Sequence, residues 1–376
     1  MRYSSRLLIL LFSMFVLLGI SIGIKNFQFK TPTIPAESLA NQEAERIARV
    51  CSDKQNRIGC YDNAFRKLTK EQTMDFAKQT LSALHKIDNQ ARDCHFIAHS
   101  ISLVEAKKHP GDWQELLANQ EPNICSSGYI HGILEAHMIT DPSFRLDASQ
   151  FPVICENASS DGLGKRSCFH HLGHLLLVEE GGNIQSSVSI CNAIVIYEAK
   201  YECLSGVFME NNTRTVLPEH GLATPVNWDA GFAKEEEMLC DKQNSLANHV
   251  CWKELGRVYA NLYYTNPSKV FSECNKGPRK ETRKECYMYS LGNMLVKPDF
   301  NPENLAEICS FYNEDKNLFR ECMVRAVNAM LVTSPEFSGW VTILCNNAPE
   351  WFQKDCFTEM DRGLKKNMVS WGKEPS

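Results

Sequence analysis

The chain has 376 residues, of which 43% are hydrophobic and 23% are charged, and this balance is typical of a folded body rather than a disordered chain. Its formal net charge of -5 gives no general attraction for nucleic acid. No basic stripe with interleaved aromatic residues is present either. Nucleic acid is therefore not an expected partner.

The first informative feature is an almost wholly apolar segment at residues 7–24, with basic residues on both sides. Its length is close to the minimum for a membrane-spanning helix, and no small-x-small cleavage site closely follows it. We therefore expect an export segment, and favour an uncleaved signal anchor over a cleaved signal peptide. The preceding positive charge places residues 1–6 in the cytoplasm, and residues 25–45 form a linker to the folded body.

All sixteen cysteines follow the apolar segment. An even number of cysteines behind an export signal predicts a disulfide framework in an oxidising compartment. That compartment is the periplasm in a bacterium, or the secretory lumen or cell surface in a eukaryote. No Cys-x-x-Cys occurs, which argues against zinc ribbons, thioredoxin-like redox centres and c-type haem attachment.

The spacing of the cysteines predicts the fold. Seven pairs have members 9 to 13 residues apart: Cys51/Cys60, Cys155/Cys168, Cys191/Cys203, Cys240/Cys251, Cys274/Cys286, Cys309/Cys322 and Cys345/Cys356. From Cys251 onwards the second members recur at steps of 35, 36 and 34 residues, a period typical of stacked two-helix units. Each pair would join the end of one helix to the start of the next, so that the second cysteine opens the second helix. Cys94 and Cys125 remain, and the simplest arrangement pairs them with each other.

These spacings predict an all-α protein, a disulfide-stapled solenoid of about nine α/α-hairpins behind an N-terminal membrane helix. Such a solenoid could curve towards a closed, toroidal ring. We expect irregular repeats with a His/Glu cluster at 46–239 and regular cysteine-paired repeats at 240–376.

The repeat resembles the Sel1-like, cysteine-rich helical-repeat proteins. The resemblance rests on the paired cysteines and on the text Leu-Gly-x-x-Tyr at Leu255, Gly256 and Tyr259. It implies stacked, disulfide-bridged helical hairpins. The chain departs from that family because its paired cysteines are farther apart and because most units lack the Leu-Gly-x-x-Tyr motif. The resemblance therefore implies architecture alone and transfers no active site.

Histidine is concentrated in one part of the chain, since nine of the eleven histidines precede residue 175. Three helices predicted to begin at a cysteine each carry a pair spaced i, i+4, which projects from one helix face. These pairs are His95/His99, His131/Glu135 and His170/His174. Neighbouring helices stand about 8 to 10 Å apart, so the pairs could converge.

Imidazole and carboxylate ligands in such a layer predict a transition-metal site for zinc, iron or copper. The candidate ligands are His95, His99, His131, Glu135, His170 and His174. His171, Met209 and Glu210 are second-shell residues or further possible ligands, and the candidates are numerous enough for two ions. We expect His171 and His137 to project away from the other histidines, and His85, His109, His220 and His249 to be surface residues.

The resulting functional hypothesis is a membrane-anchored, extracytoplasmic metal-dependent protein, an oxidoreductase or a hydrolase, with catalytic residues unassigned. The alternative is a non-enzymatic scaffold that binds a protein partner on the solenoid face, with the histidines lining its groove or serving a structural role.

Gly128 and Gly206 recur in matching Cys-x-Ser-Gly contexts. We expect them to allow close helix packing rather than to bind phosphate.

Overall fold

The computed structural model describes residues 36–88, 91, 94–119, 125, 128–141, 143–156, 158, 162–213, 228–295, 297, 300–333 and 337–370. Within these ranges the protein is all-α and contains no strand. The predicted membrane segment at 7–24 lies outside them. Among the helices that the structure does describe, none combines the length and hydropathy needed to cross a bilayer.

The described helices, numbered here in chain order, are α1 (Ala36–Cys51), α2 (Arg57–Glu71), α3 (Met74–Ile87), α4 (His95–Lys108), α5 (Trp113–Ala118), α6 (Gly128–Thr140), α7 (Phe151–Glu156), α8 (Gly162–Glu179), α9 (Ile184–Ala193), α10 (Tyr197–Thr213), α11 (Ala230–Asp241), α12 (Ser245–Tyr263), α13 (Pro267–Cys274), α14 (Lys280–Leu295), α15 (Lys316–Thr333), α16 (Ser338–Asn346) and α17 (Glu350–Ser370). Several begin where a polar side chain accepts a backbone N–H, as at Thr73, Asn183, Asp229 and Asn266. Each such cap contributes about 1 kcal/mol to stability.

Nine of these helices, which we call the B helices, pack in sequence order. They are α2, α4, α6, α8, α10, α12, α14, α15 and α17, and each contacts the next one along the chain. The remaining helices precede a B helix and cover it. This alternation confirms the predicted helical repeats.

The pairing of the cysteines is as predicted, and every cysteine of the chain is in a disulfide. The eight bonds are Cys51–Cys60, Cys94–Cys125, Cys155–Cys168, Cys191–Cys203, Cys240–Cys251, Cys274–Cys286, Cys309–Cys322 and Cys345–Cys356. Closing loops of this size stabilises a fold by about 3 to 4 kcal/mol per bond in the chain-entropy model. Eight intramolecular disulfides indicate an oxidising environment outside the cytoplasm.

The second cysteine of a short pair does not open its B helix, and this part of the prediction is wrong. Each of these cysteines lies inside the helix, after its first turn has begun: Cys60 in α2, Cys168 in α8, Cys203 in α10, Cys251 in α12, Cys286 in α14, Cys322 in α15 and Cys356 in α17. The physical reason is that a disulfide needs Cα atoms about 4.4 to 6.8 Å apart. A cysteine on a packed helix face meets this condition, and the residues before it continue the helix towards its N-terminus instead of forming a loop. Cys94 alone directly precedes its helix as predicted.

One unit departs further from the predicted pattern. The helix expected to end at Cys309 is replaced by two short 3₁₀ turns, Pro302–Ala306 and Ser310–Tyr312. The segment is brief, begins at a proline and is capped by Asn301, conditions under which 3₁₀ turns are common. The hydroxyl of Tyr287 donates to the carbonyl of Ile308 at 2.5 Å and so satisfies a buried group that lies outside any helix.

The hydrophobic core is divided into two clusters that meet at α4 and α6. Ile101 of α4 and Tyr129 of α6 belong to the N-terminal cluster. Leu103 and Ile130, on the same two helices, belong to the larger C-terminal cluster. The pair α4 and α6 therefore joins the two parts of the core, and most of the predicted metal ligands lie on these helices and on the adjacent α8.

Glycines let neighbouring B helices approach closely. A Cβ atom at Gly206 would lie 1.9 Å from the carbonyl oxygen of His170, and one at Gly128 would lie 2.3 Å from that of His95. Both distances are too short for any side chain. The prediction that Gly128 and Gly206 serve close helix packing is therefore confirmed. Gly132 has the same role, because a Cβ atom there would lie 2.1 Å from the carbonyl oxygen of His99.

Candidate metal centre

His99 of α4 and His131 and Glu135 of α6 form a buried group that could hold a metal ion. One ligand atom from each lies within 4.8 Å of the others. The three residues are 1%, 2% and 4% exposed. The Nε2 atom of His99 lies 2.5 Å from Glu135 Oε2, and the rings of His99 and His131 are 4.7 Å apart.

The geometry of this group follows from two local features. His131 and Glu135 stand one turn apart on α6, so they share a face. Gly132 lies between them and allows α6 to approach the backbone of His99. The close approach of the two helices brings the short Glu135 side chain within reach of an imidazole on the neighbouring helix.

His95 lies beside this group and is half-buried. Its Nδ1 atom is 3.3 Å from the carbonyl oxygen of Cys125, and its ring centroid is 6.0 Å from that of His131. If Nδ1–H donates to that carbonyl, Nε2 keeps its lone pair. Cys125 has a φ of 50°, a left-handed conformation that is uncommon outside glycine, and it is tied by its disulfide to Cys94.

A second group lies on α8 and α10. His174 Nδ1 is 2.7 Å from Glu210 Oε2, so the ring donates to this carboxylate. His174 Nε2 lies 3.1 Å from His170 Nε2, which in turn lies 3.2 Å from the sulfur of Met209. His174 and Glu210 are each 4% exposed at the side chain. Met209 and Glu210 are thus beside the predicted ligands, as expected for second-shell residues or further ligands.

The two groups repeat one another in the sequence. Each has a glutamate 36 residues after a histidine, and that histidine is the second of a His-x-x-x-His pair, His95/His99 or His170/His174. His99 with Glu135 and His174 with Glu210 are the corresponding pairs. The i, i+4 spacing predicts His131 as the neighbour of Glu135 on the same helix, and the longer spacing of 36 residues adds His99 on the adjacent helix. A carboxylate one repeat after a His-x-x-x-His is the sequence signal that marks Glu210 as a direct partner of His174.

His171 was predicted to project away from the other histidines, and this prediction is wrong. Its ring stacks on that of His131, with centroids 4.8 Å apart and planes inclined by 14°. It is only 3% exposed. The prediction considered α8 alone, whereas α6 packs on the side to which His171 points. Together with His131, whose ring is 5.2 Å from that of His174, it links the two groups.

The other histidines have structural or surface positions. His137 stacks on Trp113 with centroids 4.3 Å apart and has no contact with the metal candidates among the described ring pairs. His109 is exposed, as predicted. His85 is 7% exposed and His249 is half-buried, so their assignment to the surface is wrong, because neighbouring helices cover them. His220 lies outside the described residues.

A basic residue lies close to the second group. Lys253 of α12 is 3.1 Å from Glu254 and 3.0 Å from the hydroxyl of Ser205. Its ammonium group also stands over the rings of Tyr201 and Tyr289, at 5.1 and 4.4 Å. Burial disfavours the charge on Lys253, but Glu254, Tyr289, Tyr201 and Glu202 together outweigh this effect and raise its pKa, so the residue stays cationic.

The pKa of His170 is lowered well below its ordinary value of 6.5. Burial is the main cause, and the neighbouring His174 and His171, together with the cations Lys253 and Arg257, act in the same direction. His170 is therefore neutral at neutral pH. A neutral imidazole is the form that binds a metal ion.

This shift predicts that the metal-free protein loses stability on acidification. A histidine whose folded pKa lies below the unfolded one binds fewer protons when folded, so stability falls as the pH drops below about 6.5. His170 alone contributes at most about 1.4 kcal/mol per pH unit. Urea unfolding of the metal-free protein at pH 7 and pH 5.5 measures the effect, and His170→Gln should reduce the difference. An unchanged difference in the variant would contradict this assignment.

No protein-family model, curated protein or solved structure matches this chain. The resemblance to Sel1-like proteins therefore stays a prediction. The residues that carry it have structural roles: a Cβ at Gly256 would lie 2.2 Å from the carbonyl of Cys286, and buried Tyr259 donates to Glu237 at 2.9 Å. Functional assignment rests on the chemistry of the two histidine groups.

Proposed function

We propose that the protein is an extracytoplasmic metalloprotein in which His99, His131 and Glu135 bind a transition-metal ion. The observation that carries the proposal is the convergence of three ligand atoms within 4.8 Å in a buried site. A cation bound there would neutralise the Glu135 carboxylate, which would offset the cost of burying that charge. Zinc, iron and copper all accept two imidazoles and a carboxylate.

The proposed activity is that of a metal-dependent oxidoreductase or hydrolase. Three protein ligands leave a coordination position for water or substrate, which is the pattern of catalytic rather than structural sites. The ligands are almost fully buried, so the substrate must be small, and we favour redox chemistry over the hydrolysis of a polymer. His95 supplies a further imidazole beside the three proposed ligands, with its ring centroid 6.0 Å from that of His131.

Burial also favours a metal site over the alternative of an interaction scaffold. Histidines that recognise a protein partner line an exposed groove, where their ring nitrogens can reach that partner. His99, His131, His171 and His174 are each less than 5% exposed. They face one another rather than the solvent.

The location and overall shape form part of the same proposal. The apolar segment at 7–24 tethers the body to a membrane, and the linker at 25–45 joins the two. The successive contacts between B helices support a solenoid, whose face offers a surface for a protein partner. The disulfides support a position outside the cytoplasm.

Metal analysis of the purified full-length protein, without a His-tag, tests the proposal. We expect near-stoichiometric zinc, iron or copper in the wild type and loss of at least one equivalent in His131→Ala and in Glu135→Gln, because each removes one of three ligands. His249→Ala is the matched control, since His249 is half-buried and contacts Thr282 rather than the cluster. Absence of metal from replete wild-type protein, or equal metal in all variants, would refute the proposal.

A further inference from the structure

We infer that His170, His174 and Met209 form a second metal site that selects copper as Cu(I). This inference rests on the proposed function, because the two ions would be neighbours in one centre. It goes beyond that proposal by assigning a separate donor set, on α8 and α10, with its own metal preference. The donor atoms are His170 Nε2, His174 Nε2 and Met209 Sδ.

The distances from His170 Nε2 to the other two donor atoms fit ligands that share one ion. The two nitrogens are 3.1 Å apart, and the sulfur is 3.2 Å from His170 Nε2. Ligands at about 2.0 Å for nitrogen and 2.3 Å for sulfur around a tetrahedral ion are separated by roughly 3.3 to 3.5 Å. A shift of a few tenths of an ångström therefore suffices for coordination.

Hydrogen bonding alone accounts poorly for the arrangement. His174 Nδ1 lies 2.7 Å from the Glu210 carboxylate and donates to it, so His174 Nε2 carries a lone pair. His170 Nε2 has at most one hydrogen but lies near both this nitrogen and the Met209 sulfur, which is a weak acceptor. A carboxylate that holds the far nitrogen of a histidine is the usual support of a metal-binding imidazole.

The chemistry of the three donors selects the metal. All three are neutral, and the thioether is a soft ligand that favours Cu(I) over harder ions such as iron or manganese. No thiolate competes for copper, since every cysteine of the chain is in a disulfide. The first group, with its carboxylate, lacks this soft character and suits zinc or iron equally well.

The second site adjoins the first. The ring of His131 is 5.2 Å from that of His174, and His171 stacks on His131 from α8. Two ions held by the two groups would therefore lie on either side of the contacting rings of His131, His171 and His174.

Titration of the full-length protein with Cu(I), in competition with a chromophoric Cu(I) chelator, tests the inference. Met209→Leu keeps the size of the side chain and removes the sulfur. We expect it to weaken Cu(I) binding at one of two sites by at least about tenfold, because a ligand is lost. X-ray absorption at the copper edge should show a sulfur neighbour in the wild type and none in the variant.

Met238→Leu is the matched control, because Met238 is 48% exposed and lies on α11, outside the two helices that carry the proposed ligands. It should bind copper as the wild type does. If Met209→Leu keeps both the affinity and the copper spectrum of the wild type, the second site is refuted. The first site is judged separately, by the metal lost in Glu135→Gln, so one proposal can fail while the other stands. Absence of any metal from the wild type refutes both.

Discussion

Gly132→Ala should destabilise the protein by up to about 3 kcal/mol and abolish metal binding at the first group. The added Cβ would lie 2.1 Å from the carbonyl oxygen of His99 and 2.3 Å from the hydroxyl of Ser102. One of these atoms belongs to the backbone, so α4 and α6 must separate, and overpacking of this kind costs about 1 to 3 kcal/mol. The separation removes His99 from the reach of His131 and Glu135. Chemical unfolding and metal analysis measure the two effects.

Gly339→Ala provides the control for this substitution. Gly339 lies in α16, and a Cβ there would meet nothing within 4 Å. Because alanine is the better helix former, this variant should be unchanged or slightly more stable. A Gly132→Ala protein with wild-type stability and metal content would show that the close approach of α4 and α6 is not required for the site.

Removal of the Cys94–Cys125 disulfide should have the second large effect. The bond closes a loop with a sequence separation of 31, the longest of the eight. The chain-entropy model gives a loss of about 4 kcal/mol for a loop of this length. The bond also holds Cys125, whose carbonyl lies 3.3 Å from His95 Nδ1. The double variant Cys94→Ala, Cys125→Ala should therefore lose both stability and metal affinity.

Removal of the Cys345–Cys356 bond is the control that separates the effect on stability from the effect on metal affinity. It closes a shorter loop, with a separation of 11, between α16 and α17, far along the chain from the histidines. Its removal should cost about 3 kcal/mol and leave the metal content per folded molecule unchanged. If removal of Cys94–Cys125 likewise lowers only stability, the disulfide does not position the candidate centre.

Much of the repeat architecture could be predicted because its signals are local in the sequence. Each short cysteine pair marks a junction between two helices, and the period near 35 residues marks the repeat. The unit of Cys309 and Cys322 shows the limit of this reasoning. The pair is bonded as predicted, but Cys322 lies within α15 rather than at its start. The segment before Cys309 is too short and too rich in turn-forming residues to make an α-helix.

The candidate site was predictable in its ligand types but not in its contacts. Spacing on a single helix identified His131 with Glu135 and His170 with His174 as neighbours. Glu135 also lies 2.5 Å from His99, and Glu210 lies 2.7 Å from His174, and each of these contacts joins two helices. Such contacts depend on how closely the helices approach. Glycines such as Gly132 and Gly206 set this distance, because they pack directly against a carbonyl oxygen of the neighbouring helix.

The amino-acid sequence by itself determined the helical repeats, the seven short-spaced disulfides and the histidine and carboxylate pairs that stand one turn apart, because all of these follow from spacing along the chain. The Cys94–Cys125 bond was expected only as the simplest pairing of the two remaining cysteines. Only the tertiary structure decided which helix faces meet. In the tertiary structure His171 is buried against His131, His85 is buried, and the candidate ligands fall into two groups. The physical reason is that the direction of a side chain from its own helix is local, whereas its neighbour depends on the packing of another helix against it.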